Sequence, residues 1–144
     1  MRPLVLFACI ALISCGPGKD NDQMTGNSIE FKIITVGEQV NLEEHAVTGR
    51  ITVFDFYADW CPPCKKLEVS LKNLKEVYGD RMEVKKLDLV EWQSPLAQQF
   101  GIKDLPYLII YGPDGKPMKV GTGDMLMEGP SNRILPLLIA ELNR

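Results

Sequence analysis

The chain has 144 residues, of which 45% are hydrophobic and 24% charged, and its formal net charge is -3. That length supports one domain with a proper core rather than two. The acidic balance lacks the basic footprint of a nucleic-acid binder, and no stretch reaches the ~18 apolar residues of a membrane span.

Met1-Arg2 is a short positive start, Pro3 to Ile13 is apolar, and the run closes in Leu12-Ile13-Ser14-Cys15. A charged start, an apolar core of about 7–15 residues and small residues at its end describe an export signal. The closing tetrapeptide resembles a bacterial lipobox, whose cysteine is lipidated and becomes the first mature residue. The expectation is a lipoprotein signal over residues 1–15 ending at lipidated Cys15. The domain would then be held on a membrane of a bacterial cell envelope, facing the periplasm or the exterior. Cys9 falls in the segment to be removed. Gly16 to Ser28 is polar and small, with Met24 its only large apolar residue. Such a segment cannot bury enough surface to fold and reads as a flexible tether with a reach on the order of 20 Å.

From Ile29 the pattern changes. Ile29, Phe31 and Ile33 alternate with Glu30 and Lys32, the period of a half-buried strand. Asn41 to Ala46 predicts a short helical turn capped by Asn41, and Thr48-Gly49 breaks it. Ile51 to Tyr57 reads as a buried strand. Lys65 to Tyr78 reads as a helix burying Leu67, Leu71, Leu74 and Tyr78, and Gly79-Asp80 ends it. Met82 to Leu89 is the next strand, with Met82, Val84 and Leu87 turned to the core. Pro95 to Phe100 is a short helix stopped by Gly101, and Tyr107 to Tyr111 is an apolar strand. Gly112-Pro113-Asp114-Gly115 is a turn after which Lys116 to Val120 returns antiparallel. Ile134 to Leu142 is a final amphipathic helix, with Pro136 in its first turn. This order predicts an α/β layer with parallel strand pairs and an antiparallel edge.

The chemistry sits in Trp60-Cys61-Pro62-Pro63-Cys64-Lys65, where a buried strand hands over to a helix. Two cysteines separated by two residues can close a small disulfide and reopen it, one thiolate attacking and the other resolving. Removal of Cys9 and lipidation of Cys15 leave Cys61 and Cys64 as the only pair, in a compartment that permits disulfides. Cys61 would lie at the helix N-terminus, where unpaired N–H groups and the helix dipole stabilise negative charge. Such placement lowers a thiol pKa from ~8.5 to ~3.5–7.5. Cys61 is therefore the candidate nucleophile and Cys64, one turn inward, the resolving thiol. A zinc site is not expected: zinc wants about four ligands, His45 is the only histidine and there is no second CxxC.

Asp55 lies six residues before Cys61 on a strand otherwise rich in apolar residues. A lone acid there is costly unless it is paired or put to work. Alternation sets it on the face of Val53 and Tyr57, and burial would raise its pKa toward neutrality. His45 reads as a surface or helix-end histidine, Trp92 as a packing residue, and Lys65 and Lys66 as a solvated helix face.

Val53 to Lys65, with its Trp60-Cys61-Pro62-Pro63-Cys64, resembles the active-site signature of thioredoxins. Phe100-Gly101-Ile102-Lys103-Asp104-Leu105-Pro106-Tyr107 resembles their second signature, and Asp114-Gly115-Lys116 the turn of their final hairpin. The likeness runs from about Ile29 to Arg144. It implies a thioredoxin fold, a central mixed sheet flanked by helices, and thiol–disulfide oxidoreductase activity without a cofactor. It also implies that Asp55 handles the proton of the resolving cysteine, that Lys86 is a possible partner of Asp55, and that Pro106 is cis. The Leu105 backbone would be free to pair with an extended substrate strand, with Trp60 on the apolar rim and Tyr107, beside the proline, either on that rim or in the core. Two departures stand out. Thioredoxins usually carry Gly-Pro between the cysteines where this chain has Pro62-Pro63. Their helix proline, five residues after the second cysteine, is Val69 here, so a straighter helix is expected.

The expected partners are thiols and disulfides of exported proteins, a membrane electron donor and, through the lipid, the membrane itself. The retained acid favours the reductase direction by resemblance. Two other readings stay open at this point: a binding module that keeps the disulfide closed, and an envelope copper-handling protein.

Overall fold

The computed structural model describes residues 28–144. The expected signal with Cys9 and Cys15, and the tether up to residue 27, lie outside the described residues. One five-stranded sheet runs in the order β1-β3-β2-β4-β5. Its strands are β1 Lys32–Val36, β2 Ile51–Tyr57, β3 Met82–Asp88, β4 Tyr107–Tyr111 and β5 Glu128–Pro130. β3 pairs in parallel with β1 and with β2, whereas β4 pairs antiparallel with β2 and with β5. Among the described residues three α-helices cover it: α1 Pro62–Tyr78, α2 Pro95–Phe100 and α3 Ser131–Leu142. This is the expected mixed α/β sheet flanked by helices.

All seven residues of β2 are buried, as a central strand packed on both faces requires. One face carries Val53, Val84, Leu108 and Ile110 against Leu67 and Leu71 of α1 and Ile134, Leu138 and Leu142 of α3. The other carries Phe54, Phe56 and Leu87 against Leu96 and Ala97 of α2 and Leu42 of the 3-10 turn Leu42–His45. Asn41 caps that turn, its side chain accepting from the Glu43 N–H at 3.2 Å. Each fully buried leucine, such as Leu71 or Leu138, contributes roughly 1.5–3 kcal/mol relative to an exposed one.

Four local expectations are corrected. The first strand begins at Lys32, and its ladder slips between Ile33 and Thr35. Ile33 is consequently exposed, while Phe31 and Ile34 meet opposite cores. The active-site helix begins at Pro62 rather than Lys65, because Pro62 and Pro63 fill first-turn positions whose N–H groups would have no partner in the helix. It then runs unbroken through the half-solvated Val69.

Lys116 to Val120 returns toward β4 but forms no strand. Tyr111 bridges to Pro117 and the Met118 N–H donates to the Ile110 carbonyl at 2.8 Å, but the Ile110 N–H goes to the Met127 carbonyl at 3.0 Å, so the ladder passes to the segment that leads into β5. β5, read as no element from sequence, takes the edge. Its Gly129 has φ 141, and an added Cβ would collide with the Arg133 guanidinium. The last helix starts at Ser131, three residues before Ile134. Pro136 is therefore interior to it rather than in its first turn. Pro136 lies on the solvated face, where the carbonyl it leaves unbonded has water available.

Candidate active site

β2 ends at Tyr57, and Ala58 to Cys61 turn the chain into α1. The Cys61 N–H donates to the Ala58 carbonyl at 3.1 Å and the Cys64 N–H to the Cys61 carbonyl at 3.1 Å. Cys61 is the N-cap of α1, and its Sγ also accepts from the Cys64 N–H at 3.3 Å. Cys61 and Cys64 form a disulfide with Cα atoms 5.4 Å apart. Both residues are buried and cluster with Tyr57, Ala58 and Leu105. With prolines in the two positions after Cys61, the Cys64 amide is the donor left to the Cys61 sulfur. That single charge-directed contact, added to the helix dipole, is what would hold a Cys61 thiolate once the disulfide opens.

The Leu105–Pro106 peptide bond is cis, and Pro106 is buried beside α3, its carbonyl accepting from the Ser131 N–H at 3.0 Å. Among the described residues, no backbone hydrogen bond engages the Leu105 N–H or carbonyl. A groove of about 610 Å³ opens here between Pro63, Lys66 and Leu67 of α1, Leu105 and Pro106, and Leu135 of α3. On the other side of Leu105 a cleft of about 280 Å³ reaches Cys61 between Trp60, Trp92 and Lys103. An extended segment laid over Leu105 would thus have a main-chain partner and apolar walls on both sides.

Trp60 stands on this rim, 49% exposed, its indole N–H donating to the Val90 carbonyl at 2.7 Å. Trp92 packs on it with ring centroids 5.3 Å apart. Trp92 packs, as expected of it, but on the rim and with 42% of its surface open. Val90, a non-glycine at φ 63, turns the loop after β3 toward Trp60, and that turn has no sequence signal. Tyr107 takes the core alternative. Its ring meets Phe56 edge-on at 6.1 Å, on the sheet face away from α1. Lys65 and Lys66 are exposed on α1, and His45 is half-buried on its 3-10 turn.

Asp55 has no exposed surface, and among the described residues neither carboxyl oxygen has a hydrogen-bond partner. It shares its sheet face with Val53, under α1, and with Tyr57 of the cysteine cluster. Desolvation raises its pKa to about 7, against the nearby Lys86 ammonium, which lowers it, and with Glu68, which raises it further. Asp55 and Lys86 are register partners on β2 and β3, yet the Lys86 ammonium goes to Glu68 Oε2. Glu68, one turn beyond Cys64, was missed from sequence because a glutamate on a helix otherwise reads as solvated. Its spacing of four from Cys64 is the signal that could have found it. Burial alone would raise the Glu68 carboxyl, but hydrogen bonds from Lys86 and Lys72 hold it below its ordinary value. Among the described residues, no three His, Cys, Asp or Glu side chains gather as a metal site, and no helix is long and apolar enough to cross a membrane.

Comparison with known proteins places this geometry. The family model described as Thioredoxin matches residues 34–127. The chain is similar to the chloroplastic thioredoxin F2 of Arabidopsis thaliana, 35% identical over 103 residues that cover 67% of this chain and 55% of that protein. It is also similar to the thioredoxin of Borreliella burgdorferi, 32% identical over 92 residues, 63% of this chain and 77% of that one. The chain thus spans little more than half the length of the first relative. Among solved structures, that of a ferredoxin:thioredoxin reductase and thioredoxin f2 complex matches with a TM-score of 0.54 at 28% identity. The match covers 76% of this chain and 92% of that one.

Proposed function

The chain belongs to the thioredoxin family, and from that premise we propose that it reduces disulfides of exported proteins by thiol–disulfide exchange through Cys61 and Cys64. One observation carries the reading: a Cys61–Cys64 disulfide, its outer sulfur capped by the Cys64 amide, at the foot of a cleft beside an unengaged strand-like backbone.

The geometry supports the following sequence of steps. In the dithiol form the Cys61 thiolate attacks one sulfur of a substrate disulfide. The substrate S–S bond breaks, a Cys61–substrate disulfide forms, and the first substrate thiolate leaves. Asp55, ionised, takes the Cys64 proton, a transfer suited to a carboxyl poised at about 7. The Cys64 thiolate then attacks Cys61 Sγ, closing the Cys61–Cys64 disulfide and releasing the second substrate thiolate. Two electrons pass to the substrate, and a membrane-bound dithiol donor restores the pair by the same exchange.

The test is turnover of a model protein disulfide by the wild type and two variants. Cys61→Ser should abolish turnover, and Cys64→Ser should accumulate a covalent complex that reductant dissolves. Turnover by Cys61→Ser, or no trapped complex with Cys64→Ser, would contradict the exchange mechanism.

The site of action is an envelope surface, with Cys15 lipidated and the segment after it a tether to the membrane. The positive start, apolar run and Leu12-Ile13-Ser14-Cys15 support this. Lipid labelling with fractionation tests it. The wild type should be labelled and sediment with membranes, and Cys15→Ser should do neither. An unlabelled wild type would overturn it.

A further inference from the structure

A buried carboxyl and the nearest ammonium on the adjacent strand would ordinarily pair, since each relieves the other's desolvation. Asp55 and Lys86 stand in that register and do not pair. The Lys86 ammonium donates to Glu68 and lies 3.9 Å from the centre of the Tyr57 ring. The other Glu68 oxygen takes Lys72 at 2.9 Å. Cys64, Glu68, Lys86 and Tyr57 line one cavity of about 140 Å³, flanked by Asp59 and Lys65.

We propose that Glu68 is a positioning residue: it holds the Lys86 ammonium away from Asp55 and leaves that buried carboxyl without a cation of its own. The consequence rests on Asp55 taking the Cys64 proton, as above. A carboxyl locked to an ammonium in a dry interior stays ionised well below neutrality and gives up no proton near pH 7. A carboxyl whose neighbour is already neutralised titrates where the exchange operates. The groups that face Asp55 fit this account. β3 supplies Lys86, α1 supplies Glu68, and β4 supplies Leu108, its apolar register partner. Tyr57 is the titratable neighbour on its own strand. Lys72 acts on Glu68, not on Asp55.

Glu68→Gln keeps the shape and an acceptor for Lys86 but removes the neutralising charge. The experiment follows the Asp55 carboxyl carbon by NMR across pH in the full chain, together with the pH profile of mixed-disulfide resolution. Glu68→Gln should lower the Asp55 midpoint by about one pH unit, the low end of what an opposite charge does to a carboxyl, and the profile should move with it. In a Lys86→Met background the same change should move the midpoint less than half as far. An unmoved or raised midpoint in Glu68→Gln, or an equal drop without Lys86, overturns the inference and leaves the exchange reaction standing. A wild type that exchanges no disulfide would overturn the proposed function and leave this titration result intact.

Discussion

The Cys64 N–H points at Cys61 Sγ across 3.3 Å, and the two prolines between these residues make it the amide left to that sulfur. An N-cap side chain ordinarily accepts from the second or third residue of the helix. Here the second is Pro63, which has nothing to donate. Pro63→Ala should therefore give a Cys61 thiolate a second donor. The thiol should become more acidic in ultraviolet thiolate titrations, and the stabilised dithiol form should make the couple more oxidising by about 30 mV, the equivalent of ~1.4 kcal/mol. A more reducing couple would contradict the capping argument.

Asp55 ties stability to pH. Its ordinary value is 3.8 and burial raises it to about 7, so the folded chain holds this proton more tightly than the unfolded one. The contribution is favourable at acid pH. It is lost as pH climbs through the window between those two values, and the full cost persists above it. Asp55→Asn should remove that dependence and stabilise the protein above pH 7 by up to about 4 kcal/mol. It should also slow resolution of the mixed disulfide. Urea unfolding at acid and alkaline pH checks the first, and a variant no more stable than wild type in alkali would contradict it.

Trp92 supplies one wall of the cleft over Cys61 and half of an indole pair. Trp92→Ala should raise KM for a protein disulfide about fivefold, the effect of ~1 kcal/mol of lost contact. With the cysteines untouched, kcat should hold. Steady-state kinetics separates the two, and a fall in kcat with unchanged KM would remove Trp92 from the substrate surface.

Pro136 interrupts α3 on its solvated side, while Ile134 and Leu138 beside it are buried. Pro136→Ala restores a helix hydrogen bond and loses a chain-stiffening residue. The net gain should be about 1–3 kcal/mol in chemical unfolding, and activity should be unchanged. Destabilisation would mean that the helix needs the proline.

Where residue type and spacing act through short-range rules, the sequence was readable. Seven consecutive strand residues and the apolar stripe of α1 identified the sheet centre and its covering helix. The acid in that strand was conspicuous because it stands between Phe54 and Phe56 in a mostly apolar run. The rest depended on contacts between distant segments. β5 is three residues long and contains a glycine and a proline, so it has no alternation to detect. The expected strand at Lys116 stops because the Ile110 N–H goes to Met127, a contact between distant segments with no local signal. Tyr107, beside Pro106, suits rim or core by sequence alone, and β4 decides it by turning the ring toward Phe56. Glu68 matters only because β3 brings Lys86 within reach, and Trp92 only because Val90 bends its loop toward Trp60.

The most direct test of disulfide reduction through Cys61 and Cys64 is the equilibrium potential of that pair against glutathione. Reduction predicts a fully reversible two-electron couple near about -270 mV. A couple near about -120 mV, the range of a strong oxidant, or a disulfide that never equilibrates, would contradict it.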